Sequence, residues 1–246
     1  DILARYYRAK GDTVFYVSGT DCHGTPICIK AKKENKSPQE ICDEYHNEFT
    51  DVFNRLGFSY DLYGKTTEQW HKDFVTEFHK QLYKSKYVYE KDSPQAYCNH
   101  CEKPLADRLV TGICPVCGHE ANGEQCDACG NVTDAGNLKE AKCSECGNPV
   151  SYYNAKHLYI AISKLEEQLK DYLNKHSVWR NNAIAFTKRY IDEGLRDRAI
   201  TRDLEWGINV PKEGYKDKRI YIWAENVLGY LSASNDLCKK RNIPFE

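Results

Sequence analysis

The chain has 246 residues, of which 41% are hydrophobic, 29% charged and 12% aromatic, with a formal net charge of −1. That is enough to bury a sizeable core and it excludes global disorder, while the near-zero charge excludes a chain-wide electrostatic hold on nucleic acid. No window reaches the ~18 consecutive apolar residues of a membrane span, and the opening DILARYYRAKG is too charged for a secretory signal.

In chain order, Thr13–Ser18 is a short apolar run that reads as a strand ending in the loop Gly19-Thr20-Asp21. A helix is expected to open near Gly24–Pro26, with Pro at an early position. Ser37-Pro38-Gln39-Glu40 reads as a capping box. It heads a helix with Ile41, Tyr45, Phe49, Val52, Phe53 and Leu56 on one face. A further helix from Thr67 places Trp70, Phe74, Phe78 and Leu82 in one stripe, which reads as core packing. Helices near Ser163–Asn174 and Asn181–Leu195, a strand Arg219–Trp223 and a last helix to about Lys239 complete the chain. Strands alternating with helices argue an α/β sheet, interrupted by a cysteine-rich island.

That island holds four Cys-x-x-Cys pairs: Cys98/Cys101, Cys114/Cys117, Cys126/Cys129 and Cys143/Cys146. Each turn sets two thiolates on one side of a tight loop, where both reach one tetrahedral ion. Gly118, Gly130 and Gly147 follow three of the pairs and supply the permissive backbone such a turn needs. Closed four-cysteine sites leave no open coordination position, so two structural Zn2+ ions are expected, with no catalytic metal. Spacing alone permits a sequential pairing of neighbouring pairs or a nested one. Cys22, Cys28, Cys42 and Cys238 read as ordinary thiols.

The loop after the first strand carries the other candidate chemistry. Asp21, at a strand's carboxyl end, could hold a ligand ammonium, and His23 could donate to an anionic or hydroxyl group. A turn capped by Asp and His accounts for the same residues.

SGTDCHGTPI resembles the G-T-D-x-H-G-T segment of the methionyl-tRNA synthetases, in the class I group. The stretch from Ala106 through GEQCDACG resembles that family's zinc knuckle; ITRDLEWGINVP (Ile200–Pro211) and IYIWAENVLGY (Ile220–Tyr230) resemble two more of its segments, in family order. The resemblance implies an α/β, Rossmann-like nucleotide-binding domain split by a connective insertion carrying four-cysteine zinc knuckles. On this chain the catalytic domain would run over 1–86 and 200–246, with the insertion at 87–199 and its knuckles at about 97–150. It also implies the nested metal pairing. Asp21 would bind the methionine ammonium, Trp223 and Tyr230 would line the side-chain pocket, and Arg202 and His23 would serve activation. The implied activity is ATP-dependent ligation of methionine to its tRNA through methionyl-adenylate, with ATP and Mg2+ as substrate, initiator and elongator methionine tRNAs as partners, no membrane, and a cytoplasmic location.

Two departures stand out. Glu225-Asn226 replaces the family's usual Asp-Ala, and is expected to narrow the pocket or shift the amino acid. The H-I-G-H and K-M-S-K-S segments are missing from these residues, and no methionine is present to start translation. The chain is therefore expected to be an internal fragment, inactive alone. The competing reading is a non-catalytic zinc-ribbon module for RNA binding or interaction.

Overall fold

A computed structural model describes residues 1–176 and 178–245; Ser177, in the expected insertion, and Glu246, at the end of the expected return segment, lie outside the described residues. The first part runs α1 (Ile2–Ala9), β1 (Val17–Thr20), α2 (Thr25–Glu34), α3 (Pro38–Arg55), β2 (Leu62–Lys65) and α4 (Gln69–Leu82). β1 and β2 pair in parallel, from Val17 opposite Leu62 to Thr20 opposite Lys65. The first strand is thus shorter and later than the apolar run Thr13–Ser18 suggests, because β2 reaches only its last residues. The capping box forms as read: the Glu40 amide donates to Ser37 Oγ at 3.2 Å, and the Ser37 amide donates to Glu40 Oε2 at 2.7 Å.

The two helix stripes need correction. On α3, Ile41 is buried, but Phe49, Val52 and Leu56 are exposed, since the two-stranded sheet is too narrow to cover the whole stripe. On α4 the fully buried side chains are His71, Val75 and His79, one position beyond the aromatic stripe, and Phe78 is exposed. The helix takes this rotation because both histidines find partners across the interface. His71 meets Glu225 and Ser232, and His79 Nε2 lies 2.9 Å from the Ala224 carbonyl. A buried polar group is tolerated when it is hydrogen-bonded.

The middle of the chain contributes β3 (Val88–Cys98), β4 (Lys103–Leu105), β5 (Val110–Ile113), β6 (Glu120–Asn122), β7 (Lys139–Cys143) and β8 (Ser151–Ile160). Then follow α5 (Glu166–Lys175), α6 (Asn181–Asp192), β9 (Arg198–Ala199), β10 (Thr201–Arg202), β11 (Arg219–Ile220) and α7 (Gly229–Lys240). β3 and β8 form a long antiparallel pair, in a sheet ordered β4-β3-β8-β9, and the cysteine finger is a separate sheet ordered β6-β5-β7. The strand expected over Arg219–Trp223 stops at Ile220; Ile222–Ala224 and Asn226–Leu228 are 3-10 turns leading into α7. The described residues form two cores. One, in the finger, gathers Leu105, Leu109, Val110 and Leu138 with the buried cysteines. The other gathers Val75, Leu158, Ile200, Ile208 and Ile220.

Candidate active site and metal centres

β1 and β2 end side by side, and the backbones touch there. A Cβ on Gly19 would stand 2.8 Å from the Gly64 carbonyl oxygen, and one on Gly64 would stand 2.5 Å from the Trp70 ring. Beyond these carboxyl ends opens a cleft of ≈ 270 Å³, lined by Asp21, Trp70, His71, Trp223, Asn226 and Tyr230 among others. Asp21, Trp223 and Tyr230, which the motifs nominate from opposite ends of the chain, therefore share one cavity. The Asn226 amide donates to Asp21 Oδ2 at 3.0 Å, while the Asn226 Oδ1 is buried with no partner among the described residues. Desolvation by the cleft wall raises the Asp21 carboxyl above its ordinary value of 3.8, and the Asn226 hydrogen bond works against that rise.

His23 is buried and does not line the cleft. Its Nδ1 lies 2.7 Å from Glu225 Oε1, and its ring packs edge-on to Trp206, 5.4 Å between centroids. Glu225 is 1% exposed; burial pushes its carboxyl up, but the hydrogen bonds and charge of His23 and His71 outweigh this and hold it below 4.5. Glu225 thus points away from the cleft, and of the two departures only Asn226 faces Asp21. Sequence reading misses His71 and Ser232. The spacing of His71 and His79 on α4 is the available signal, masked by the aromatic stripe beside it.

Arg202 stands elsewhere. Its Nε donates to Asp107 Oδ1 at 2.9 Å, its Nη1 donates to the Ala199 and Thr201 carbonyls, and its guanidinium lies 3.8 Å from the Tyr221 ring centre. It lines a second cavity of ≈ 290 Å³ between the β3–β8 sheet and the finger. The finger also reaches the cleft through Glu124, whose Oε1 accepts from Trp223 Nε1 at 3.0 Å and from the Tyr221 hydroxyl at 3.1 Å.

The eight cysteines gather as two sets of four, Cys98/Cys101/Cys143/Cys146 and Cys114/Cys117/Cys126/Cys129, with all sulfurs of a set within 4.8 Å of one another. This is the nested arrangement. It follows from β5, which pairs Val110 with Cys143 and so returns the outer pairs to the finger's base. A tetrahedral Zn–S bond of ~2.3 Å requires sulfurs about 3.8 Å apart. Observed separations of 3.5 and 4.0 Å in the outer set, and 3.9 and 3.5 Å in the inner, bracket that value. The turns repeat one pattern: the Gly118, Gly130 and Gly147 amides donate to the Cys114, Cys126 and Cys143 carbonyls, and each glycine has a positive φ. At Cys98/Cys101 the equivalent left-handed residue is Glu102, φ 54°. Amides turned toward sulfur, that of Cys117 first for Cys114 and that of Asn148 first for Cys146, lower these two thiols to about 6, while burial and the neighbouring sulfurs push Cys101, Cys117, Cys129 and Cys143 up. The donor set and its spacing therefore fit a closed four-thiolate site.

Comparison with known proteins places this architecture. The chain is 49% identical over 247 residues to methionine–tRNA ligase 1 of Alkaliphilus oremlandii, covering 100% of this chain and 46% of that protein. It is 50% identical over 243 residues to the methionine–tRNA ligase of Streptococcus pneumoniae (strain CGSP14), covering 98% and 45%. It spans just under half the length of these relatives. In fold it matches Mycobacterium tuberculosis methionyl-tRNA synthetase, solved in complex with methionyl-adenylate, with a TM-score of 0.68 at 18% identity over 94% of this chain and 41% of that one. The family model described as tRNA synthetases class I (M) matches residues 1–245, and the chain belongs to that family.

Proposed function

We propose that this chain forms the methionine-binding part of a methionine–tRNA ligase. The observation that carries the reading is the meeting of Asp21, Trp223 and Tyr230 in one cleft beyond the carboxyl ends of β1 and β2. Methionine would set its ammonium on the Asp21 carboxylate and its thioether against the two exposed rings, contacts that suit a polarizable sulfur. Its carboxylate then attacks the α-phosphorus of ATP, supplied with Mg2+, releasing pyrophosphate and leaving methionyl-adenylate for transfer to initiator or elongator methionine tRNA. Positioning and stabilisation of the developing charge carry such a step. Arg202, held by Asp107 beside the second cavity, and His23, packed behind the cleft wall, would serve activation in the complete enzyme, as the motif resemblance implies.

The two cysteine clusters would hold zinc, which keeps the finger folded and Glu124 against Trp223. The same reading divides the chain into catalytic segments 1–86 and 200–246 around the insertion 87–199, and sets the reaction in the cytoplasm, where cysteines stay reduced. Calorimetric titration with methionine is the test. Wild-type chain should bind, and Asp21→Ala should bind about tenfold or more weakly. RNA binding with a steep salt slope and no methionine effect would overturn the reading in favour of a zinc-ribbon module.

A further inference from the structure

Glu225 is the most deeply buried carboxylate around the cleft, and nothing in the proposed chemistry uses it. It sits between the two 3-10 turns, 1% exposed, with each oxygen facing an imidazole from a different part of the fold. Oε1 lies 2.7 Å from His23 Nδ1, in the loop after β1, and Oε2 lies 3.2 Å from His71 Nε2, on α4. The chain of contacts continues to α7: His71 Nδ1 is 2.8 Å from Ser232 Oγ, and the Ser232 hydroxyl donates to the Gly229 carbonyl at 3.0 Å. His71 is thus held at both ring nitrogens, one against Ser232 and one against Glu225. A buried carboxylate held from both sides in this way anchors the backbone that carries it.

That backbone carries two of the cleft's walls. Trp223 lies two residues before Glu225 and Asn226 directly after it; both face the cavity, and the Asn226 amide reaches Asp21 across it. We propose that Glu225 is a positioning residue of the amino-acid cleft: clamped by His23 and His71 beneath the turn, it sets where Trp223 and Asn226 stand relative to Asp21, and hence the width available to the amino-acid side chain. This rests on reading the cleft as an amino-acid site.

The experiment uses the full-length protein labelled with 5-fluorotryptophan, with the 19F signals of Trp70, Trp179, Trp206 and Trp223 assigned by single Trp→Phe replacements. Glu225→Ala should move the signals of Trp223 and of Trp206, which packs on His23, and leave that of Trp179, between α5 and α6, unmoved. Glu225→Gln keeps the volume but removes the charge and one of the two acceptor oxygens, so it should move the same two signals by less. Should Glu225→Ala fail to fold, Glu225→Gln carries the test. Methionine Kd should rise about tenfold or more in Glu225→Ala, with KM for ATP changed by less than about twofold. A folded Glu225→Gln protein with the wild-type Trp223 signal and wild-type methionine Kd would overturn the proposal. A wild-type protein that ignores methionine while Glu225→Gln still moves Trp223 would overturn the amino-acid reading and leave the clamp standing.

Discussion

The cysteine finger and the cleft beside it are organised on opposite principles. In the finger, each ligand pair is made by four consecutive residues, and one backbone pattern recurs at Cys114, Cys126 and Cys143. In the cleft, Asp21 and Asn226 touch across 205 positions and His23 and Glu225 across 202. A local device such as the finger would stand or fall with a metal bound to its cysteines. A cleft assembled across the whole chain depends on the packing that brings its walls together, here through buried polar pairs rather than apolar contacts alone.

The largest expected effect breaks the finger. Cys126→Ser should lower the metal content by one ion of roughly two per chain, by elemental analysis after dialysis. Structural zinc contributes about 10–16 kcal/mol in isolated fingers, so hydrogen exchange at the inner loop should lose its protection while α4 keeps its own. Loss of protection throughout would show that the two regions are not separable. Next comes the joint between them. Arg202→Ala leaves the half-buried Asp107 without its cation and should cost about 1.5–3 kcal/mol in urea unfolding. A change within error would mean that the insertion is held by other contacts.

In the cleft, Asp21→Ala should weaken methionine binding by about 1.5–3 kcal/mol, measured by calorimetry. The pH dependence sharpens this. Because the folded-state carboxyl titrates above 3.8, binding should fade as pH drops through that raised value, earlier than for an ordinary aspartate. The same shift means that protonated Asp21 favours folding, so its stabilising contribution is present below pH 3.8 and is lost as pH rises through the raised value. Asp21→Asn should abolish both slopes; slopes that persist would assign them to another group. The smallest effect lies in the irregular finger turn. Glu102 adopts the left-handed backbone that glycine takes in the other three, so Glu102→Gly should stabilise the chain by on the order of 0.5 kcal/mol. A lower melting temperature would show that the Glu102 side chain contributes more than its backbone costs.

Sequence reading is accurate where a feature is contiguous: the Ser37 capping box, the Cys-x-x-Cys turns, and the helices beginning near Gly24 and Asn181. It does not find β2 or the long β3–β8 pair. β3 carries charges and Pro94 in a segment with no clean alternation, and its register comes from pairing with a strand on the far side of the finger. It also takes the aromatic stripe of α4 for the core face. Trp70, Phe74 and Phe78 are as apolar as any core residues, and only the acceptors at Glu225 and Ala224 turn His71 and His79 inward instead.

By itself, then, the sequence nominated the eight cysteines, through its family resemblance their nested grouping, and the acid and aromatic residues that meet in the cleft, because Cys-x-x-Cys spacing and motif segments are written in short stretches of backbone. Only the tertiary structure decided that Arg202 stands at a second cavity and His23 behind the cleft wall, and that Glu225 turns inward while Asn226 turns out. Those outcomes depend on which groups meet after distant segments close on one another. A buried charge or imidazole goes wherever a partner is found to satisfy it, and no local pattern records where that partner will be.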